Sequence, residues 1–537
     1  MSPMEAQMQV QKALVWATLL IGAMVFGFFM ASDTPFLVLA VAVVGWMATL
    51  PYHVRLSAIL GMTTFGSALM VPLMPGRPFV WEAAALLGWT GVTVSLILKR
   101  HGPDFWEAIR RYLWTLLFVA GYMVVLAYLM RTHGLALRVM GGDRMGGRVY
   151  LQQLACGSFP LVFLLVRFAE GTFTRLFMVS LSLSLTFLIS DVALAMGGKA
   201  MWVFYFLDLA NDALLFEFNS DMTGIRRFQS FAFVSVGLLQ AILVLVPLRK
   251  VFSLSAVWLV PVLLLTVGLG LPGGHRGVLL LFAGLLGVCS WAQRVWSPIR
   301  LAVVFGLVGS LLLLTLYAIA PSLPLAAQRT LAVLPGIRLD QLALDDARTT
   351  LEGRTTMREV GLQLVPYYLW RGRGFGPSTE PVPFTGHDPW GIITEHVHLG
   401  RFYNGPVGLL VNTGLPGTLC MLGLLATGTL VAGRTLMHVR RNGVEDVFSR
   451  LACVNASLWM VQVGVFVFLH GDAEFAMKTF GLHLGMVLGV NELLLQRERE
   501  ALRRAMATEV GLAERAVPAP MPWWRRRRGE LGAAVVS

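Results

Sequence analysis

The sequence predicts an all-α polytopic membrane protein with about fourteen transmembrane helices, one long extracytoplasmic loop and both termini in the cytoplasm. Three observations carry that expectation. The 537 residues are 56% hydrophobic and only 14% charged, where a soluble chain carries about 25% charged residues. Apolar runs of about 17 to 25 residues, the length at which a helix crosses a bilayer core, recur along the chain. Lysine and arginine gather at alternate connections, which fixes the side each connection faces.

The expected spans are 13–31, 35–51, 56–74, 79–98, 112–130, 149–166, 173–196, 228–248, 252–271, 277–292, 299–320, 405–431, 451–470 and 475–495. The first lacks a small-residue cleavage site and reads as a retained membrane helix, not a removed signal peptide. No internal repeat of the kind found in many transporters is visible. Lys99, Arg100, Arg110 and Arg111 lie between the fourth and fifth spans, and Arg434, Arg440, Arg441 and Arg450 between the twelfth and thirteenth. Placing these inside puts both termini inside, consistent with an even number of spans. The chain then divides into a membrane domain (1–320), a large extracytoplasmic loop (321–404), a second membrane part (405–495) and a basic cytoplasmic tail (496–537). The tail, ending in Arg525 to Arg528 beside Trp523 and Trp524, is expected to leave the membrane as a helix and continue as a disordered surface anchor.

Lysine plus arginine exceed aspartate plus glutamate, 43 to 30. In a soluble chain that excess would suggest nucleic acid; here it reflects topology and anionic membrane lipids, and no nucleic-acid partner is expected. Cys156, Cys289, Cys420 and Cys453 are scattered through apolar segments without a Cys-x-x-Cys pair. Neither a disulfide framework nor a zinc site is indicated.

The outward connections hold the unusual chemistry. The long one carries eight basic and eight acidic residues with His387, His396 and His398, and a connection of this length is uncommon unless functional or disordered. Arg131, His133, Arg138, Arg144 and Arg148 lie between spans five and six, on the side that should be depleted of positive charge. Arg226 and Arg227 stand directly before span eight, and His275-Arg276 occupies a tight turn before span ten. Snorkelling to lipid phosphates explains single arginines of this kind. Several converging at one depth would instead make a pyrophosphate site, because guanidinium forks bind phosphate oxygens bidentately and helix N-termini attract anions.

This arrangement resembles the bacterial O-antigen ligase and O-antigen polymerase superfamily of membrane glycosyltransferases. The likeness rests on Gly273-Gly-His-Arg276-Gly, on Arg354 with Leu369-Trp-Arg-Gly-Arg-Gly-Phe-Gly376, and on Asn404 followed after nine residues by Gly414 and after two more by Gly417. It covers about 220–420. Tyr403 stands where the family pattern has histidine.

The resemblance implies a glycan on an undecaprenyl pyrophosphate as donor and a lipid-linked or lipid-core glycan as acceptor. It implies transfer at the outer, periplasmic face of the bacterial inner membrane, beside other polysaccharide-assembly proteins, without a metal or other cofactor. On that basis Arg226 or Arg227, Arg276 and His275 are expected at the pyrophosphate. Arg354, Arg401, Asn404, Arg144 and Arg148 are expected at the substrates. His398, then His396, is the expected general base, with Glu395 as an alternative base or orienting carboxylate and Tyr403 at the departed position.

Other patterns weigh less. Gly372-x-Gly374-x-Gly376 follows no strand and opens no βαβ unit, so it reads as a loop hinge and not as a nucleotide loop. His470, Asp472 and Glu474 have metal-ligand chemistry at alternating spacing but read as a polar turn between helices. The competing function is a transporter or flippase for an anionic or lipid-linked envelope precursor. Fourteen spans and an outward basic cavity suit it; sparse intramembrane charge and polar residues on one side oppose it.

Overall fold

A computed structural model describes residues 41–72, 77–133, 147–208, 225–251, 258–295, 309–376 and 392–509, except 42, 100, 103, 226 and 335. Among these residues the protein is all-α, with only two isolated β-bridges, Leu69 to Leu207 and Met70 to Phe79. Six helical stretches are long and apolar enough to cross a membrane: Val80–Ile97, Leu113–Thr132, Gly147–Leu165, Glu170–Tyr205, Gly405–Asn442 and Val447–Leu469. Gln229–Leu245, Leu259–Gly273 and Arg276–Ala292 are shorter apolar helices. Length and composition of these helices make the protein a multi-pass membrane protein.

In chain order the helices are α1 (His53–Thr64), α2 (Val80–Ile97), α3 (Asp104–Arg111), α4 (Leu113–His133), α5 (Gly147–Cys156), α6 (Phe159–Leu165), α7 (Glu170–Leu183) and α8 (Leu185–Met196). After these come α9 (Gln229–Leu245), α10 (Leu259–Gly270), α11 (Arg276–Ala292), α12 (Gly309–Ile319), α13 (Leu325–Leu331), α14 (Gln341–Tyr368) and α15 (Ile392–His398). The last three are α16 (Gly405–Asn442), α17 (Val447–Gly464) and α18 (Ala476–Glu509).

One expected span stops short. The 56–74 segment is helical only to Thr64, where the Thr63 and Thr64 hydroxyls donate to carbonyls one turn back and the chain turns extended. The 149–166 and 173–196 segments fall within the helical stretches Gly147–Leu165 and Glu170–Tyr205, with local irregularities at Gly157-Ser158 and at Ser184, where both serines keep right-handed helical backbone. The spans expected at 13–31 and most of 35–51 lie outside the described residues, as does 299–308.

By compactness the chain comprises two units, Met1–Asn491 and Glu492–Ser537. The described part of the second is the charge-rich end of α18. Within the first, α16 packs along α4 and α17, and α14 lies against α16. Met357 and Val360 of α14, Val397 of α15, Phe402, and Val407 and Val411 of α16 form one buried cluster. Phe402 is fully enclosed. The described part of the long loop is therefore held by apolar burial. A second cluster joins Leu271, Ala320, Ala327, Leu331 and Ile337, seating α13 on the turn after α10.

Candidate functional site: a guanidinium cluster at three helix starts

The turn between α10 and α11 is the platform. Gly274, at φ +68°, completes the reversal, and the Phe228 N–H donates to the Pro272 carbonyl (3.2 Å). That bond sets Arg227, just ahead of α9, so close to the turn that a Cβ on Gly274 would lie 3.1 Å from Arg227 Cδ. His275 and Arg276 follow as N-cap and first residue of α11.

Two loop helices then close over the turn. Arg329 of α13, almost fully buried, donates to the Gly274 carbonyl, to Asp346 and to Thr350 Oγ1 (2.9 Å). Arg227 Nη2 donates to both oxygens of the same Asp346, at 3.0 and 2.8 Å. Arg276 Nη2 donates to the Ala347 carbonyl (2.5 Å). One carboxylate thus serves two guanidinium groups. Among the described residues Arg276 bonds only a backbone carbonyl, and Arg354, one face further along α14, forms neither a hydrogen bond nor an ion pair.

The field of this cluster shows in its titrations. Burial, then the charge of Arg329, pushes Arg227 down to about 10, with Asp346 opposing, so it stays charged at neutral pH. Burial, then the charges of Arg329, Arg227 and Arg354, pushes His275 down to about 4, so it is neutral at pH 7. Arg354 is lowered by burial first, with Tyr403 opposing and Arg329 adding to the shift. Arg354 is nevertheless exposed at its surface.

The other half of the site is where the loop returns to helix. Gly372 (φ +71°) and Gly414 (φ +67°, a kink within α16) face each other. A Cβ on Gly372 would meet the Asn412 carbonyl oxygen at 2.7 Å, and one on Gly414 would meet Gly372 N at 2.8 Å. Between them the Arg373 N–H donates to the Val411 carbonyl (2.7 Å) and the Gly374 N–H to the Asn412 carbonyl (2.8 Å). The glycines at the two ends of the loop form one backbone clasp. Arg373 extends it, its guanidinium donating to the Val397 (2.8 Å) and His398 (2.7 Å) carbonyls at the end of α15.

From the clasp, residues 401–404 run beside the turn after α17. Arg401 Nε donates to Glu474 (2.8 Å), and the Tyr403 N–H donates to Asp472 Oδ1 (3.0 Å). The His470 ring stacks on Tyr403, with centroids 5.3 Å apart and planes 17° apart. His470 and Asp472 are in extended backbone, and Glu474 lies in the 3-10 turn Ala473–Phe475 that follows. Each meets the returning loop. Burial acts to lower the Arg401 pKa, but Glu474, Tyr403 and Asp472 outweigh it and the net shift is upward. Asn404 caps α16, its Oδ1 accepting from the Val407 N–H (3.1 Å).

Tyr403 joins the halves. The Arg354 guanidinium sits 5.2 Å above its ring, and the His396 ring lies 5.6 Å away. Together with the starts of α9, α11 and α16, whose dipoles are positive at that end, the cluster makes a cationic group bordered by histidine and tyrosine. Such a group can bind an anion and exchange protons with a neighbouring ligand.

Of the residues singled out from sequence, the structure brings together Arg227, His275, Arg276, Arg354, Tyr403 and His396. Arg401 and Asn404 hold the frame. Glu395 is exposed on α15, and His398 ends that helix. Arg148 belongs to another group, donating to Glu82 at 3.3 Å beside Gln152, while the Lys478 ammonium sits 4.9 Å from the Trp81 ring. Arg226, Arg144 and His387 lie outside the described residues. Sequence reasoning passed over Arg329 and Asp346. Arg329 is the one charge in the run from Leu323 to Leu334, which marks the residue but not its partner. Among the described residues no three His, Cys, Asp or Glu side chains converge as metal ligands. In comparisons with known proteins, no family model and no curated sequence matches this chain.

Proposed function

We propose that the protein is a membrane glycosyltransferase that moves a glycan from an undecaprenyl-pyrophosphate donor to an acceptor sugar hydroxyl, as a ligase or a polymerase. The observation that carries this reading is the pair Arg276 and Arg354. Neither guanidinium forms an ion pair with a carboxylate among the described residues, although Asp346 and Asp472 act on them through space, and both belong to a cluster whose other two arginines bind Asp346 directly. A lipid pyrophosphate leaving group develops negative charge as its glycosidic bond breaks, and fixed cations in a low-dielectric pocket stabilise that charge. A histidine beside the cluster supplies a proton acceptor for the attacking hydroxyl. The motif likeness to the O-antigen ligase and polymerase superfamily supports the same chemistry. The positive-inside bias supports a site at the outer face of the membrane, within a chain of about fourteen spans, and the family likeness supports the bacterial inner membrane.

The test is Arg276→Ala in a strain deleted for the gene. The variant should insert and accumulate like the wild type and lose at least about a hundredfold in transfer rate, the usual cost of removing one charge-stabilising group. Undiminished surface glycan from the variant contradicts the reading. In vesicles, movement of lipid-linked glycan across the bilayer without transfer would identify a flippase instead.

A further inference from the structure

Resting on that reading, we propose that His470, from the turn between the last two helices, is the general base for the acceptor hydroxyl. Tyr403 and Asp472 are its positioning residues. The position equivalent to the family histidine is Tyr403, and a phenol is a poor base at neutral pH. The ring lying flat against that phenol is His470, at 5.3 Å and 17°. A base supplied from the following hairpin therefore occupies the space beside the position where the loop lacks one.

The local construction suits that role. Residues 465–469 widen into a π turn, a device that re-aims side chains and recurs at functional sites. The His470 N–H donates to the Val465 carbonyl (2.7 Å), which fixes the backbone that carries the ring. The ring also hydrogen-bonds the Tyr403 backbone in a way that favours its protonated form. A ring N–H held by a backbone acceptor fixes the tautomer and leaves the second nitrogen with its lone pair.

The charged groups around the ring come from three elements. Arg354 approaches from α14, Asp472 from the same turn, and His275 from the start of α11. Burial, then Arg354, lowers the His470 pKa, with Asp472 opposing, so the ring is neutral near pH 7 and able to accept a proton. The residue is exposed at its surface, as Arg354 is.

The step balances. The acceptor hydroxyl oxygen bonds to the anomeric carbon of the donor sugar while the bond from that carbon to the pyrophosphate oxygen breaks. The bonding pair leaves on the pyrophosphate, beside Arg276 and Arg354. The hydroxyl proton passes to the open nitrogen of His470, giving an imidazolium that later releases it to water.

The experiment uses the full-length protein in proteoliposomes, supplied with lipid-linked glycan and acceptor lipids extracted from the deletion strain. Rates are compared for wild type, His470→Ala, His470→Gln, His396→Ala, His398→Ala and Arg276→Ala. His470→Ala and His470→Gln should lose about a hundredfold or more in kcat with the KM for donor within about twofold. The acid limb of the wild-type pH profile should disappear, and free imidazole should restore activity to His470→Ala but not to Arg276→Ala. If both His470 variants keep full kcat while Arg276→Ala is inactive, the assignment of the base is wrong and the transferase reading stands. If wild type yields no transferred glycan from these lipids, both fail. A loss in the His470 variants that imidazole does not relieve, or that resides in KM, marks a packing role and overturns the proposal.

Discussion

His275 lies in the field of three arginines and holds no charge at neutral pH, a state with a thermodynamic signature. Its pKa is about 4 in the folded protein and about 6.5 when unfolded. Between those values the unfolded chain binds a proton that the folded protein refuses, so stability falls as pH drops through that window and is unaffected above it. The full loss is on the order of 3 kcal/mol. Thermal unfolding in detergent from pH 7 to pH 4.5 should show that decline, and His275→Asn should flatten it; equal slopes in the two proteins would contradict the assignment. Arg401 is the opposite case. Its pairing with Glu474 is enclosed at both ends, so the positive charge is retained. These roles follow from neighbours distant in sequence. His275 and Arg276 were legible as polar residues in a turn between apolar runs, whereas Arg329 and Asp346 were not, because two charges in a loop rich in both signs give no hint of which pair will close over the turn.

At the scale of elements, the clasp between the loop's two ends determines where Tyr403 and α15 stand. Gly414→Ala places a side chain at φ +67° with its Cβ 2.8 Å from a backbone nitrogen, and backbone cannot yield as a side-chain tip can. The expected cost is at least about 2 kcal/mol, read as a lower thermal midpoint and weaker transfer. Gly268→Ala is the matched control: it lies within α10 with nothing within 4 Å of the added carbon, and it should be neutral or stabilising by up to about 1 kcal/mol. Similar losses in both variants would deny the clasp a special role. The spacing of Gly414 and Gly417 was visible in the sequence as a motif, but its partner was not. Gly372 looked like part of a hinge, since sequence periodicity carries no information about backbone touching backbone forty residues later. The local irregularities at Ser184 and Gly157-Ser158 escaped for a related reason: hydropathy averages over a window and does not register a one-residue irregularity in an apolar run.

At the scale of the molecule, the site and the basic connections occupy opposite ends of the helices. α16 has 38 residues and so runs about 55 Å from Asn404 at the site to the exposed connection around Gly443. Single cysteines in a background lacking the four native ones should report this. Glu395→Cys should react with a membrane-impermeant maleimide on intact spheroplasts, and Glu445→Cys only after permeabilisation. Reaction of both from outside, or of Glu445→Cys alone, would overturn the proposed topology. Hydropathy made the class of the fold legible, because a chain this poor in charge has few other ways to be stable.

The turn from His470 to Glu474 has a consequence for biogenesis. The cationic half of the site is drawn from residues 227–354, all of which leave the ribosome before α16 exists. The wall that faces it, and the three side chains that fasten the loop at 401–403, arrive only with the hairpin of α17 and α18. A nascent chain halted before that hairpin holds the arginines without the side chains that fasten residues 401–403. On the proposed function, completion of the last hairpin is thus the step that turns an exposed group of arginines into a defined site, and competence is acquired at the end of synthesis.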